Sequence, residues 1–130
     1  MLVLFATQGR AATPTYQFFF TGINDSFKAY LDLANVTTDG DGHKLVSVKI
    51  DSFSPTFRDW IKKNFAGGET ADYAVDPYSI DCSAKTIGEH RIVFYDNNGF
   101  PLTNYDFGGS MAPPIPDSMK DQLMHKVCNF

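Results

Sequence analysis

Tyr78-Ser79-Ile80-Asp81-Cys82, then His90-Arg91-Ile92-Val93-Phe94-Tyr95-Asp96 with Asn97-Asn98-Gly99 behind it, and last Ser118 to Cys128, make up the stretch on which the fold turns. Residues 78–84 read as a half-buried strand carrying Cys82, residues 85–89 as a turn, and His90 to Asp96 as a second strand. In that second strand Ile92 and Phe94 face away from Val93 and Tyr95, and apolar side chains on both sides mark a central position. Asn97-Asn98-Gly99 supplies residues that tolerate positive φ, so a tight hairpin sends Phe100 to Phe107 back alongside. Gly108, Gly109, Pro113, Pro114 and Pro116 exclude helix and inner strand alike, and the chain must cross the surface there. Ser118, with Asp121 three residues on, opens a last helix on which Met119, Leu123, Met124, Val127 and Cys128 share a face. A helix this short is marginal alone and needs a sheet beneath it.

Upstream, Tyr16 to Phe20 reads as a strand closed by Gly22, Asn24 and Asp25, with Tyr16, Phe18 and Phe20 on one side and Phe19 on the other. A strand apolar on both faces lies between layers or against another chain, so Tyr16, Phe18, Phe19 and Phe20 are candidate partner or dimer contacts. Phe27 to Leu33 alternates more cleanly, with Phe27, Ala29, Leu31 and Leu33 inward and Lys28, Tyr30 and Asp32 wet. Thr38 to His43 carries two Asp-Gly pairs and predicts a hairpin. The calcium-loop alternative fails because Ile50 stands where a bidentate Glu is required. The next strand ends near Ile50, with Val46, Val48 and Ile50 inward. Ser54 and Pro55 then start a helix whose Phe57, Trp60, Ile61 and Phe65 form a stripe, read as core in preference to a ligand surface. Gly67 to Asp76 is polar and small, as surface loops are.

A length of 130 residues accommodates one core. Twelve phenylalanines and six tyrosines favour a sheet over an Ala/Leu bundle. A net charge of −4 with scattered Lys and Arg offers no stripe for a row of phosphates, which argues against nucleic acid and anionic membrane surfaces. No stretch approaches the roughly 20 apolar residues of a membrane span. Leu2 to Ala6 is apolar and is followed by small residues, so residues 1–12 read as the remnant of a signal peptide and 13–130 as a single domain. The competing reading is a frayed or strand-pairing N-terminus.

Two cysteines in a small chain with a signal-like start suggest a disulfide between Cys82 and Cys128. The alternative makes Cys82 a thiolate nucleophile, with His90 or His125 as base. His43, His90 and His125 have no companions at metal-ligand spacing, and the pattern calls for no metal or other cofactor.

The series Tyr78-Ser79-Ile80-Asp81-Cys82, Arg91 in a strand ending Tyr95-Asp96, Gly99 in the hairpin, and Ile115-Pro116-Asp117-Ser118 leading to Val127-Cys128 resembles the bacterial surface-adhesin protein E family. The resemblance covers most of the chain and is specific over its C-terminal half. It implies an antiparallel sheet with a C-terminal helix tied down by Cys82 and Cys128, in a protein exported to the periplasm or cell surface of a Gram-negative bacterium. The family's best-known member is a surface lipoprotein that binds host matrix proteins, including vitronectin and laminin, and can dimerise. This chain shows no lipidation cysteine near its start.

The expectation is therefore an α+β domain, an antiparallel sheet of about six strands with the C-terminal helix packed on one face and tied by a disulfide. Its work is that of an exported, non-enzymatic binding protein with a protein partner and a tendency to form a homodimer. The alternatives are a periplasmic inhibitor or small-ligand carrier and, from another class, a thiol-dependent enzyme using Cys82.

Overall fold

The computed structural model describes residues 12–130; the signal-like run Leu2 to Ala6 lies outside the described residues. Within them the strands are β1 (Tyr16–Thr21), β2 (Lys28–Asp32), β3 (Thr37–Thr38), β4 (Lys44–Asp51), β5 (Tyr73–Asp81), β6 (Thr86–Glu89), β7 (Arg91–Tyr95) and β8 (Pro101–Asp106). They form one antiparallel sheet. Six run side by side in the order β1-β2-β4-β5-β7-β8, while the short β3 pairs with β4 and the short β6 with β5. Helices α1 (Pro55–Asn64) and α2 (Met119–Cys128) complete the α+β architecture that the pattern predicts.

One face of the sheet is the core. In β4, Val46, Val48 and Ile50 are buried, and the register sets Val48 between Leu31 and Asp76, and Ile50 between Ala29 and Ala74. Ile80, Ile87, Ile92 and Phe94 extend this face. The two helices close over it, each started by a capping serine: Ser54 accepts from the Phe57 N–H and Ser118 from the Asp121 N–H. Ile61 of α1 and Leu123 and Met124 of α2 are buried in the shared core. The Cys82–Cys128 disulfide fastens the end of α2 to the end of β5, with 5.6 Å between the α-carbons.

Several local expectations are revised. The segment expected as a loop up to Asp76 becomes β5 at Tyr73, because Tyr73 to Val75 find ladder partners on both sides, in β4 and in β7. Pro77 therefore sits inside a central strand. Its carbonyl accepts from the His90 N–H, so its missing donor points to the same place, the break where β6 ends and β7 begins. Residues 86–89, expected as a turn, are β6; the turn is 82–85, with Lys85 left-handed at φ 57°. Cys82 thus stands one residue beyond its strand. Asp32, expected wet, is buried; its carboxylate accepts from the Thr15 N–H, the Ala34 N–H and Asn35 Nδ2, which satisfies it inside. Leu33, expected inward, leaves the sheet in a 3-10 turn and is exposed.

The first strand is also not the simple alternation its aromatics suggest. A bulge between Phe18 and Phe20 inserts one residue against β2. Tyr16 and Phe18 consequently stay on the face away from the core, while Phe19 and Phe20 both pack against the core.

Candidate functional site

The face opposite the helices carries a row of aromatic rings around one lysine. Antiparallel register puts Tyr16 and Phe18 of β1 opposite Asp32 and Tyr30 of β2, Tyr30 opposite Lys49 of β4, and Tyr73 of β5 opposite Tyr95 of β7. Phe18 meets Tyr30 edge-on with ring centroids 5.8 Å apart, and Tyr73 stacks on Tyr95 at 5.1 Å. Between these pairs, Lys49 Nζ lies 5.3 Å from the Tyr16 centroid and 5.2 Å from that of Tyr73. The ring quadrupoles hold the ammonium over the sheet, and Asp51 at 4.0 Å is its only ion-pair partner among the described residues. Burial, and then the Asp32 carboxylate, push the Tyr16 phenol above its ordinary pKa. Burial and Asp51 do the same to Tyr30. Both stay neutral hydrogen-bond donors at physiological pH. Tyr16 and Phe18 remain 41% and 51% exposed, which is enough for a partner to cover.

On the helix side, the aromatic stripe of α1 does not all enter the core. Ile61 is fully buried, but Trp60 is half exposed, and Phe57, Trp60 and Phe65 line a cavity of about 860 Å³. Its other walls are Phe94, Tyr105, Phe107 and the proline-rich crossing from Ala112 to Ile115. At the floor, Tyr78 donates to Asp76 Oδ2 at 2.7 Å and lies 3.3 Å from Glu89 Oε2. Lys120 of α2 binds Glu89 Oε1 at 3.3 Å. Asp76 is buried, and its carboxyl is hydrogen-bonded to Glu89 as well as to Tyr78. Burial, reinforced by the hydrogen bond and charge of Glu89, pushes the Asp76 carboxyl up to about 9 against the weaker pull of Tyr78 and Lys120. Tyr78, enclosed beside two carboxyls, is pushed well above the ordinary phenol.

The cysteines are accounted for: Cys82 is bonded to Cys128, so its sulfur is not a free thiolate. The proposed bases lie elsewhere. His90 shares a 2.6 Å hydrogen bond with Ser79, and His125 pairs with Asp121 at 3.4 Å and with the Phe130 carbonyl. Asp39 accepts from the Asp41 and His43 N–H groups, closing the turn before β4. Among the described residues no three acidic, His or Cys side chains gather as a metal site, and no helix is long and apolar enough to cross a membrane.

Of the four contact candidates in β1, two stand on the open face and two lie half-buried on the core. The sequence reading missed Lys49, Tyr73 and Tyr95 as companions of Tyr16, since only strand register brings them together. It missed Asp76 as well. The available signal was an acid at an inward position of the alternation Ala74, Asp76, Tyr78, Ile80, legible once β5 is known to start at Tyr73.

Residues 19–129 match the family model described as surface-adhesin protein E. No curated protein and no solved structure matches the chain.

Proposed function

The chain belongs to the surface-adhesin protein E family, and from that premise we propose that it is an exported, non-enzymatic binding protein of a Gram-negative cell envelope that holds a host matrix protein on the open face of its sheet. The observation that supports this most is the row Tyr16, Lys49, Tyr73 and Tyr95. It presents large, rigid rings and a centred cation on a surface that neither described helix covers. Tyrosines give contact area at small entropic cost, and interface energy concentrates on such anchors. Phe18 and the side of β1 that pairs with no other strand among the described residues extend the surface to the sheet edge, where a second copy of the chain or an extended segment of the partner can lie.

Immobilised vitronectin and laminin provide the test. Wild-type protein should bind at least one of them, and Tyr73→Ala with Tyr95→Ala should weaken that binding about tenfold or more without changing the fold by circular dichroism. Undiminished binding by the double variant removes the open face as the contact. Absence of wild-type binding to matrix proteins removes the partner class.

A further inference from the structure

Six aromatic rings meet beneath and beside α1 without filling the space between them. Phe65 is their hub, with its centroid 5.5 Å from Trp60, 5.3 Å from Phe94, 5.7 Å from Tyr105 and 6.2 Å from Phe107. Phe57 stacks on Trp60 at 5.3 Å, so the rings run unbroken from α1 to β7 and to the end of β8. Three of them stay open to solvent: Trp60 is 49%, Tyr105 50% and Phe107 40% exposed. All six border the cavity of about 860 Å³, which has the size of a small-molecule site. Exposed apolar area gathered in one concavity, and not scattered over the surface, marks a place for a ligand. With α1 as one wall, the crossing from Ala112 to Ile115 as another and the sheet as floor, the shape suits a compact guest.

The polar groups of the cavity narrow the chemistry, because they answer one another. Tyr78 donates to Asp76, Asp76 is bonded to Glu89, and Glu89 is paired with Lys120 at 3.3 Å. Ser118 Oγ donates to the Ile115 carbonyl and accepts from the Asp121 N–H. With Asp76 protonated, the Glu89–Lys120 pair leaves the floor without net charge. An ion entering here loses its water and gains no counter-charge. We infer that this cavity binds an uncharged apolar molecule carrying an aromatic ring, seated against Trp60, Phe65, Tyr105 and Phe107. A ring makes edge-to-face or offset contacts with these walls beyond what its buried area supplies, whereas a saturated guest of the same shape has its area alone. The cavity lies on the helix side of the sheet, and this binding is independent of the open face.

Phenylbutanol, phenylbutylammonium and phenylbutyrate share a ring and tail and differ in the head group, while cyclohexylbutanol keeps the head group and saturates the ring. Trp60 is the one tryptophan of the chain and lines the cavity, so its emission reports occupancy. Phenylbutanol should shift that emission saturably and bind about tenfold or more tightly than either ion. It should also exceed cyclohexylbutanol about threefold, once each affinity is divided by the probe's octanol–water partition coefficient. Tyr105→Ala with Phe107→Ala removes two half-exposed walls and should weaken phenylbutanol about tenfold. Either ion binding as tightly as phenylbutanol, no preference for the ring over its saturated form, or undiminished binding by the double variant each overturns the inference. So does a Trp60 signal that no probe saturates, which would leave the rings to the side chains of a partner protein. The wild-type series of four probes decides the matter on its own if the double variant fails to fold.

Discussion

Tyr78 and Asp76, neighbours on the same face of β5, are both buried and joined by a 2.7 Å hydrogen bond from the phenol to Oδ2. That contact sits within a carboxyl pair, because Glu89 Oε2 is 3.3 Å from the same phenol. A carboxyl so placed is held neutral, and the fold carries the consequence in its pH dependence.

The folded-state pKa of Asp76, about 9, lies above its ordinary 3.8. The folded protein thus keeps a proton that the unfolded chain releases. The associated stability is fully present below about pH 4 and is lost progressively as pH rises through about 9. Thermal melts from about pH 5 to 9 should show a falling midpoint in the wild type and a shallower fall in Asp76→Asn. Parallel curves would show that Asp76 titrates normally in the fold.

The disulfide closes a loop with a sequence separation of 46. In the chain-entropy description this stabilises the fold by about 4 kcal/mol. Cys82→Ser with Cys128→Ser should lower unfolding free energy by roughly that amount in urea, and α2 should lose protection first in hydrogen exchange. Alkylation of the unreduced native protein should label neither sulfur. Quantitative labelling of Cys82 would contradict the bond.

Gly88 needs no unusual backbone angle, yet a β-carbon there would collide with the backbone of Gly109 in the crossing segment and with the Met111 sulfur. The crossing lies flat on β6, where Ile87 and Ala112 bridge. Gly88→Ala should therefore destabilise the protein by about 1–3 kcal/mol through overpacking. Gly40→Ala, at a site with open space, should change stability by well under about 1 kcal/mol. Equal melting of the two variants would mean the crossing gives way freely.

Dimer formation, if β1 supplies the contact, should depend on Phe18 and Tyr16 and not on Phe19 or Phe20, which the bulge turns toward the core. Sedimentation equilibrium at high concentration should show dimer for the wild type and monomer for Phe18→Lys. A wild type that stays monomeric throughout counts against β1 as a self-association edge.

Much of the frame was readable in advance because its causes are local. Val46, Val48 and Ile50 alternate with polar residues at the strand period, Ser54 and Ser118 cap helices a residue later, and Asn97-Asn98-Gly99 turns the chain with Gly99 at φ 81°. The misread segments are those where distant partners override local preference. Tyr73 to Val75 looked loop-like until two neighbouring strands paired with them, and residues 86–89 looked turn-like until β5 did the same.

Composition, periodicity and the cysteine pair by themselves determined a helix-backed antiparallel sheet, since side-chain alternation, capping and turn chemistry act within a few residues. Which side chains meet was decided by the tertiary structure alone. Lys49 comes between Tyr16 and Tyr73 through register across four strands, and Asp76 becomes a neutral acid because burial and the Glu89 that β6 brings beside it outweigh the opposing Lys120 of α2. Burial and electrostatic coupling depend on neighbours in space, and residues tens of positions apart become neighbours only when the chain has folded.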